Sequence, residues 1–263
     1  MLNIVIHGAA GRMGRRLVAL ASQDAELSLT AALDAPDHPS LGADAGELAG
    51  VGRLDLPIQA GLSADAAVDA VIDFSLPAGT ESILAVCVER ETPLVVATTG
   101  LDERRERLLE DASKRIAILR APSMSLAVNL TMKLAQMAAE SLKDQDADVE
   151  ILERHHRFKE DAPSGTALEF GRIIAVKMGQ AEHRHGRQGH TGKRPHDEIG
   201  YHAIRSGDNP GEHTIVFGML GETVELTVRA SNRDCYAVGA LAAAKFLAGK
   251  QPGRYSMNDV LGF

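Results

Sequence analysis

The sequence predicts an α/β protein: a doubly wound parallel sheet in the first half and a smaller α+β domain with an open mixed or antiparallel sheet in the second. Strands and helices alternate up to about residue 120, glycines follow the first strand, and residues 199–230 form consecutive strand-like runs before a closing helix. Such alternation is typical of parallel pairing with right-handed crossovers. We expect one domain from 1–124 and 235–263, which binds dinucleotide, and a second from 125–234, which binds substrate and forms oligomer contacts.

Composition narrows the functional classes. Among 263 residues only 3% are aromatic and none is Trp, which suits an α/β protein. A net charge of −8 argues against a general nucleic-acid or anionic-membrane surface, because these need a basic excess. Cys87 and Cys235 are too few for a disulfide framework or a cysteine metal site, and we expect no metal. Because no long apolar stretch or signal-peptide pattern is found, we expect a cytoplasmic protein without membrane contact.

The first turn of the chain has a nucleotide-binding pattern. A β-branched run, Leu2–His7, ends at G-A-A-G-R-M-G (residues 8–14), and residues 15–22 continue at helical spacing. Glycines let the backbone approach a pyrophosphate, and the helix N-terminus adds partial positive charge. A second strand, Leu27–Leu33, ends at Asp34, where an acidic side chain is placed to meet ribose hydroxyls. Tight glycine turns and strand-end aspartates also occur without ligands.

Further strand–helix pairs continue this pattern, and their strands end in polar turns. Because ligands of parallel sheets bind beyond the carboxyl ends of the strands, we expect residues 74–75, 98–100 and 123–124 along one edge of a nicotinamide site. Residues 40–61 are interpreted as a surface excursion without chemistry. The expected elements are strands at 70–74, 93–97 and 116–119 and helices at 80–90 and 102–115.

The pattern changes after residue 124. Residues 180–198 are rich in His, Arg and Gly but lack a metal-ligand spacing, so a mobile polar loop is expected there. An open sheet in this half suits contacts between subunits, and we expect a homo-oligomer. The other expected elements are helices at 125–142, 166–178 and 236–248, strands at 148–152, 199–206, 212–220 and 222–230, and a short tail at 254–263.

The most informative segment is E-R-H-H-R-F-K-E-D-A-P-S-G-T-A-L, residues 153–168. His155, His156 and Lys159 supply proton donors and cations at the end of a strand, and Ser164 begins a helix whose first N–H groups can hold an anion. This combination suits a small acidic substrate that is protonated as it reacts. The same residues also fit a solvated polar loop before an N-capped helix.

Four motifs together resemble one family. G-A-A-G-R-M-G at 8–14, A-T-T-G at 97–100, the H-H-R-F-K-E-D-A-P-S-G-T-A-L segment and G-E-H-T at 211–214 are similar to 4-hydroxy-tetrahydrodipicolinate reductases, the dihydrodipicolinate reductases of the diaminopimelate route to lysine. The resemblance covers essentially the whole chain. It implies an oxidoreductase that reduces a cyclic dicarboxylate imine with NAD(P)H, with loss of the 4-hydroxyl as water, and a homotetramer assembled through the second-domain sheets.

The resemblance also implies roles by position. His155 is implied as proton donor or acceptor, Lys159 as proton donor and His156 as a substrate contact, and Gly165 and Thr166 would hold a substrate carboxylate through backbone N–H groups. A purely electrostatic role for Lys159 is equally open. The residues implied for the cofactor are Gly8, Ala9, Ala10, Gly11, Arg12, Met13, Asp34, Ala97, Thr98, Thr99, Ala121, Pro122, Ser123 and Met124.

Three positions depart from the family pattern. Phe158 stands where another histidine is common, Ala97 replaces the first glycine of G-T-T-G, and Met124 stands where an aromatic residue often lies beside the nicotinamide. Ala35 leaves no basic residue next to the strand-end acid for a 2′-phosphate, although Arg12 could partly fill that role. We expect NADH or NADPH to be used, with NADH at least as good.

Two other functions stay open from the residues alone. One is another Rossmann-type amino-acid or semialdehyde dehydrogenase, whose acyl-transfer form would need a reactive cysteine that neither Cys87 nor Cys235 provides by position. The other is a non-catalytic NAD-sensing regulator, which would need no histidine–lysine pair beside an anion-binding helix start.

Overall fold

A computed structural model describes all residues, 1–263, and the chain divides into two compact units. The first comprises Met1–Leu126 and Arg233–Phe263, and the second is the inserted stretch Ala127–Asn232. The first unit is therefore built from both ends of the chain.

The elements follow in chain order. Residues 2–120 form β1 (Leu2–His7), α1 (Arg12–Ala21), β2 (Leu27–Leu33), α2 (Ala45–Ala49), β3 (Ile58–Gln59), β4 (Ala70–Asp73), α3 (Pro77–Glu89), β5 (Leu94–Val96), α4 (Glu103–Ser113) and β6 (Ala117–Arg120). Residues 126–229 form α5 (Leu126–Leu142), β7 (Asp148–His155), α6 (Gly165–Met178), β8 (Glu182–His185), β9 (Glu198–Arg205), β10 (Glu212–Met219) and β11 (Glu222–Arg229). The chain closes with α7 (Asp234–Leu247), β12 (Gly253–Tyr255) and α8 (Met257–Leu261).

The sheet of the first unit is parallel throughout, with the strand order β3-β2-β1-β4-β5-β6-β12. From β3 to β6 this is the 3-2-1-4-5-6 order of dinucleotide-binding folds, and it reverses direction between β1 and β4. Ligands of such sheets bind at that reversal, beyond the carboxyl ends of the strands. The predicted doubly wound sheet is confirmed.

Both faces of this sheet are buried, as the nearly continuous apolar strands require. Successive side chains of a strand point to opposite faces. Accordingly Ile4 and Ile6 join one cluster with residues of α1 and α7, whereas Val5 joins the other with residues of α3 and α4. The closing helix α7 contributes Ala240, Ala243, Ala244 and Leu247 to the first cluster.

The second unit has a mixed five-stranded sheet with the order β11-β10-β7-β9-β8. Strands β7, β9 and β8 are parallel, whereas β10 is antiparallel to both β7 and β11. Its core packs alternate residues of the central strands, including Ile151, Tyr201 and Ile215, against α5 and α6. The predicted α+β domain with an open mixed sheet is confirmed.

Four segments differ from the sequence expectation. Residues 40–61 contain α2 and β3, residues 180–198 contain β8, and the tail contains β12 and α8. Strand β7 continues three residues past its predicted end, to His155. These elements are short or polar: β8 reads E-H-R-H and is exposed throughout. Neighbouring strands and ion pairs hold such segments, so their own hydrophobic pattern does not predict them.

The stretch expected as a mobile loop is bound to the sheet at several points. Arg187 and Arg194 both bind the Glu150 carboxylate, at 2.6 and 3.0 Å. Arg194 also binds Asp148 at 2.6 Å, and Arg187 pairs with Glu198.

No helix of the chain combines the length and the apolar character needed to cross a bilayer.

Candidate functional site

The glycine loop after β1 packs too closely for larger side chains. Gly8 has φ +82°, and a Cβ built on it would lie 2.6 Å from the Phe74 carbonyl oxygen after β4. A Cβ on Gly14 would lie 2.1 Å from the Gly8 carbonyl oxygen. Glycine at these two positions therefore allows α1 and the loops after β1 and β4 to approach closely at the reversal of strand order.

The start of α1 offers hydrogen-bond donors to an anion. The backbone N–H groups of Arg12, Met13 and Gly14 make no hydrogen bond, while Arg15 N–H donates to the Gly11 carbonyl at 3.0 Å. No side chain caps this helix. Three free N–H groups and the helix dipole fit a pyrophosphate.

Asp34 lies at the carboxyl end of β2, as predicted, and is fixed by the loop beside it. Its carboxylate accepts hydrogen bonds from the N–H groups of Ala10 at 2.8 Å and Ala35 at 2.9 Å. Each carboxylate oxygen retains a lone pair. Asp34 can therefore accept from ribose hydroxyls while it orders the glycine loop.

Asp73, at the end of β4, is a buried acceptor that joins three strand ends. It accepts hydrogen bonds from His7 Nδ1 at 2.8 Å, Thr98 Oγ1 at 2.9 Å, Ser75 Oγ at 2.6 Å and Thr80 Oγ1 at 2.5 Å. Burial raises the pKa of Asp73, but the hydrogen bonds, led by that of His7, outweigh it and leave the pKa below its usual value. The carboxylate stays ionised and fixes the loops after β1, β4 and β5.

The other predicted cofactor residues lie on two neighbouring loops of the first unit. Thr98 is buried against Asp73, whereas Thr99 and Pro122 are exposed. Met124 is only 2% exposed and packs in the core cluster that α7 shares. Its backbone approaches that helix closely, since a Cβ on Gly239 would lie 1.7 Å from the Met124 carbonyl oxygen. The Met124 side chain therefore packs in the core of the first unit.

In the second unit, three adjacent strands place polar side chains at one end of the core face. Along β7, Val149 and Ile151 face the core, and the same alternation continues through Glu153 and His155. The neighbouring strands add His213, paired in register with Glu153, and Arg205, paired in register with His155. At this end of the three strands, the apolar residues of the core face are followed by charged and polar ones. We call these four residues, Glu153, His155, Arg205 and His213, the polar cluster.

Glu153 is the centre of the polar cluster. Its carboxylate is 1% exposed and accepts from His155 Nδ1 at 2.5 Å, from both terminal nitrogens of Arg205 at 2.7 Å, and from Ser164 N–H at 3.2 Å. Burial raises the pKa of Glu153, but the hydrogen bonds from His155 and Arg205 lower it to about 2. It is therefore a carboxylate at neutral pH.

His213 is a neutral member of the polar cluster. Burial, and then the charge of nearby His155, lower its pKa to about 4. Its Nε2 lies 3.1 Å from Ser164 Oγ, which also accepts from Ala167 N–H at 3.2 Å. Which of Ser164 Oγ and His213 Nε2 donates this hydrogen bond depends on the tautomer of His213.

Helix α6 offers the second anion cradle. Ser164 N–H is used by Glu153, and Ala167 N–H by the Ser164 cap. The N–H groups of Gly165 and Thr166 make no hydrogen bond. Two free donors at the start of a 14-residue helix suit a carboxylate. They are the two residues that the resemblance implies for this role.

The remaining predicted residues lie on the loop between β7 and α6. Lys159 Nζ binds Asp161 at 2.6 Å, and this hydrogen bond lowers the pKa of Asp161. His156 is half-buried with its Nδ1 unpaired, and its ring centroid lies 6.2 Å from that of Phe158. Phe158 is 77% exposed, so this departure from the family pattern leaves an aromatic side chain on the surface.

Sequence reasoning missed Glu153, Arg205 and His213, which the structure brings together in the second unit, and it missed Asp73 in the first unit. The sequence did indicate that Glu153 is buried, because it lies an even number of residues from Val149 and Ile151 and so points to the same face of the strand. In the same way, His213 points to the same face of β10 as Ile215 and Phe217. A charged residue that continues a core-facing alternation indicates a buried, paired group.

Together the parallel sheet, the glycine loop and Asp34 define a nicotinamide-dinucleotide oxidoreductase fold with a second unit suited to an acidic ligand. Family models described as dihydrodipicolinate reductase, N-terminus and C-terminus, match residues 2–124 and 127–261. The chain belongs to the dihydrodipicolinate reductase family, also named 4-hydroxy-tetrahydrodipicolinate reductases.

Relatives of similar length support the assignment. The 4-hydroxy-tetrahydrodipicolinate reductase of Rhodopirellula baltica is 56% identical, over 99% of this chain and 96% of its own. That of Alkalilimnicola ehrlichii is 48% identical, over 98% of each chain. A dipicolinate-bound dihydrodipicolinate reductase from Paenisporosarcina sp. TG-14 has a TM-score of 0.76 at 23% identity over 97% of both chains, which shows the shared fold.

Proposed function

We propose that this chain reduces 4-hydroxy-tetrahydrodipicolinate to tetrahydrodipicolinate with NAD(P)H, releasing water, as a step toward diaminopimelate and lysine. The observation that supports this most is the second unit's combination of a glutamate-bound histidine with two free N–H donors at the start of α6. A family relative at 56% identity bears the same activity in its name.

The reaction explains why the site needs both an acid and an anion cradle. Loss of the 4-hydroxyl as water leaves a conjugated C=C–C=N unit between two carboxylates. When bound, the reduced nicotinamide supplies a hydride to the carbon end of that unit. The electron pair moves to nitrogen, giving an enamine, and a proton then returns to carbon and restores C=N. One hydride and one proton are added in total.

Residues of this chain would divide these tasks. Gly165 and Thr166 hold one carboxylate through backbone N–H groups, and Lys159 balances negative charge. His155 supplies the proton, because its Nδ1 is held by Glu153 and its other ring nitrogen is left to exchange. His156 contacts the substrate from the same loop.

For the cofactor, we propose that both NADH and NADPH bind and that NADH serves at least as well. Asp34 suits free ribose hydroxyls, and its neighbour Ala35 offers no charge to a 2′-phosphate. The remaining cofactor residues would be those of the glycine loop, 97–99 and 121–124. The ratio of kcat/KM for the two cofactors tests this. A value more than tenfold higher with NADPH would overturn the preference.

We further propose a cytoplasmic homotetramer assembled through the second unit's sheet. Leu152 supports this, since it is 37% exposed on the sheet face opposite to the core residue Ile151. Light scattering on the purified protein measures the mass directly. A monomer at micromolar concentration would contradict the assembly.

The semialdehyde dehydrogenase alternative has little support. Acyl transfer needs a reactive thiolate, but burial raises the pKa of Cys87, which is fully buried, and of Cys235. A non-catalytic NAD sensor gives no reason for a buried carboxylate that binds His155.

The deciding experiment mixes the purified protein with reduced cofactor and the freshly formed aldol product of pyruvate and aspartate semialdehyde. Loss of the absorbance of reduced nicotinamide that depends on both enzyme and aldol product is expected. Aspartate semialdehyde alone, without pyruvate, is the matched control for a dehydrogenase. No oxidation above background in either mixture would overturn the proposal and leave the sensor.

A further inference from the structure

Glu153 binds the proposed proton donor, the cluster's arginine and the start of the anion cradle at once. Its Oε2 accepts from His155 Nδ1 and one Arg205 nitrogen, and its Oε1 accepts from the other Arg205 nitrogen and from Ser164 N–H. No other carboxylate binds the His155 ring.

We propose that Glu153 is the positioning residue of this site: it fixes His155 with its proton on Nδ1, places a carboxylate charge beside the ring, and ties that ring to the carboxylate cradle of α6. The inference rests on the proposed function and deepens it. Glu153 acts through His155 and need not contact substrate.

The geometry dictates the form of the ring. A carboxylate only accepts hydrogen bonds, so the nitrogen 2.5 Å from Glu153 must bear a proton in both charge states of His155. The variable proton of His155 is then the one on Nε2. The proton available for transfer therefore leaves from one known atom, which is what ordered proton delivery requires.

Arg205 keeps Glu153 from taking that proton itself. A bidentate guanidinium at 2.7 Å holds the buried carboxylate ionised. Arg205 donates as well to the Asp161 carbonyl at 2.6 Å, which fixes it against the loop. Glu153 is thus an anion at neutral pH that binds both Arg205 and the His155 ring.

The charges around His155 make Glu153 decisive. Arg205 is paired in register with His155 from β9, and Lys159 follows on the next loop. His213 from β10 stands edge-on to His155, with ring centroids 5.3 Å apart, and is uncharged above about pH 4. Asp161 is occupied by Lys159. Glu153 is therefore the one carboxylate that binds the His155 ring.

The test compares Glu153→Gln with Glu150→Gln. Glu150 is a matched control because it lies on the same strand and binds a histidine, His202, and an arginine, Arg187, but on the opposite face. Glu153→Gln is expected to lower kcat at least tenfold and to move the alkaline limb of the pH–rate profile down by roughly one pH unit, since lost anion charge disfavours the protonated donor. Glu150→Gln is expected to leave that limb in place.

A second variant and a second readout keep the outcomes separable. Glu153→Asp retains the charge, so it should restore the limb toward wild type even where kcat stays low. The ¹⁵N ring signals of His155, assigned by their loss in His155→Asn, need no substrate, and in Glu153→Gln they should titrate at lower pH than in wild type. If the wild type is active but Glu153→Gln changes neither the alkaline limb of the pH–rate profile nor the titration of the His155 ring, the positioning role alone is overturned. An inactive wild type overturns the proposed function, and the ring titration then still decides whether Glu153 governs the charge of His155.

Discussion

Each unit of this protein buries one carboxylate–histidine pair, and the two pairs are built from different partners. In the first unit, Asp73 binds His7 and three hydroxyls, with no arginine. In the second, Glu153 binds His155, one bidentate arginine and one backbone N–H. Hydroxyl partners fix loop geometry without adding charge, whereas a guanidinium adds a fixed positive charge beside the carboxylate. The same two groups thus fix three strand ends in one unit and, in the other, fix a histidine beside the start of α6.

The largest difference between the pairs should appear in turnover. His155→Ala is expected to lower kcat by roughly 10²- to 10⁴-fold, the range for lost acid catalysis. The dissociation constant of NADH, measured by fluorescence titration, should stay unchanged. His190→Ala, an exposed histidine outside both pairs, is the control and should turn over normally. Near-normal turnover in His155→Ala would mean that the proton comes from elsewhere.

Lowering the pH should destabilise the folded protein through His213, the neutral histidine of the polar cluster. His213 has a pKa of about 4 in the folded protein against 6.5 when free, so the unfolded chain binds more protons between those values. The free energy of unfolding is therefore unaffected by the titration of His213 above pH 6.5. It decreases as the pH drops toward about 4, by about 3 kcal/mol in total. Urea unfolding of wild type and His213→Gln over this window measures the loss. Parallel curves for the two proteins would contradict it.

Substitutions at the Asp73–His7 pair should lower stability and cofactor affinity but leave proton transfer unchanged. Asp73→Asn leaves several buried donors with one acceptor oxygen, which should lower the free energy of unfolding by about 2 kcal/mol. NADH affinity should weaken because Thr98 loses its anchor, while the alkaline limb of the pH–rate profile stays in place. Asp65→Asn, an exposed aspartate, should do neither. A shifted limb in Asp73→Asn would abolish the distinction between the pairs.

The smallest effect is expected where the polar cluster meets α6. Ser164→Ala removes an N-cap and the partner of His213 Nε2, and the free energy of unfolding should fall by about 1 kcal/mol. Ser82→Ala removes an exposed hydroxyl on α3 and should cost close to nothing. Equal stabilities for the two variants would show that the cap contributes little.

Much of this molecule could be predicted from its sequence because local pattern and tertiary role agree there. The strands of the first sheet, the glycine loop and the start of α6 have strong periodicity or special backbone demands. The polar cluster could be predicted only in part. His155 belongs to a recognisable motif, but Arg205 and His213 come from strands 50 and 58 residues further on, and pairing register alone brings them to Glu153. Register is a property of the whole sheet, which no single segment encodes.

Short elements at the sheet edges were missed for a different reason. Strands β3 and β12 have two and three residues, and β8 is exposed along its length. Each forms by adding to an existing edge. Its stability comes from the neighbour's unpaired backbone groups rather than from its own composition.

The return of the chain to its first unit has a consequence for synthesis. Residues 127–232 are contiguous, so the inserted unit can close its core while the C-terminus is still on the ribosome. The parallel sheet instead needs α7 and β12, which follow the inserted unit in the chain and complete the first unit. A nascent chain halted before residue 234 would display the apolar surface that α7 covers, including the groups around Ile4 and Leu119. We therefore expect the strands of residues 2–120 to finish folding only after α7 and β12 have joined them.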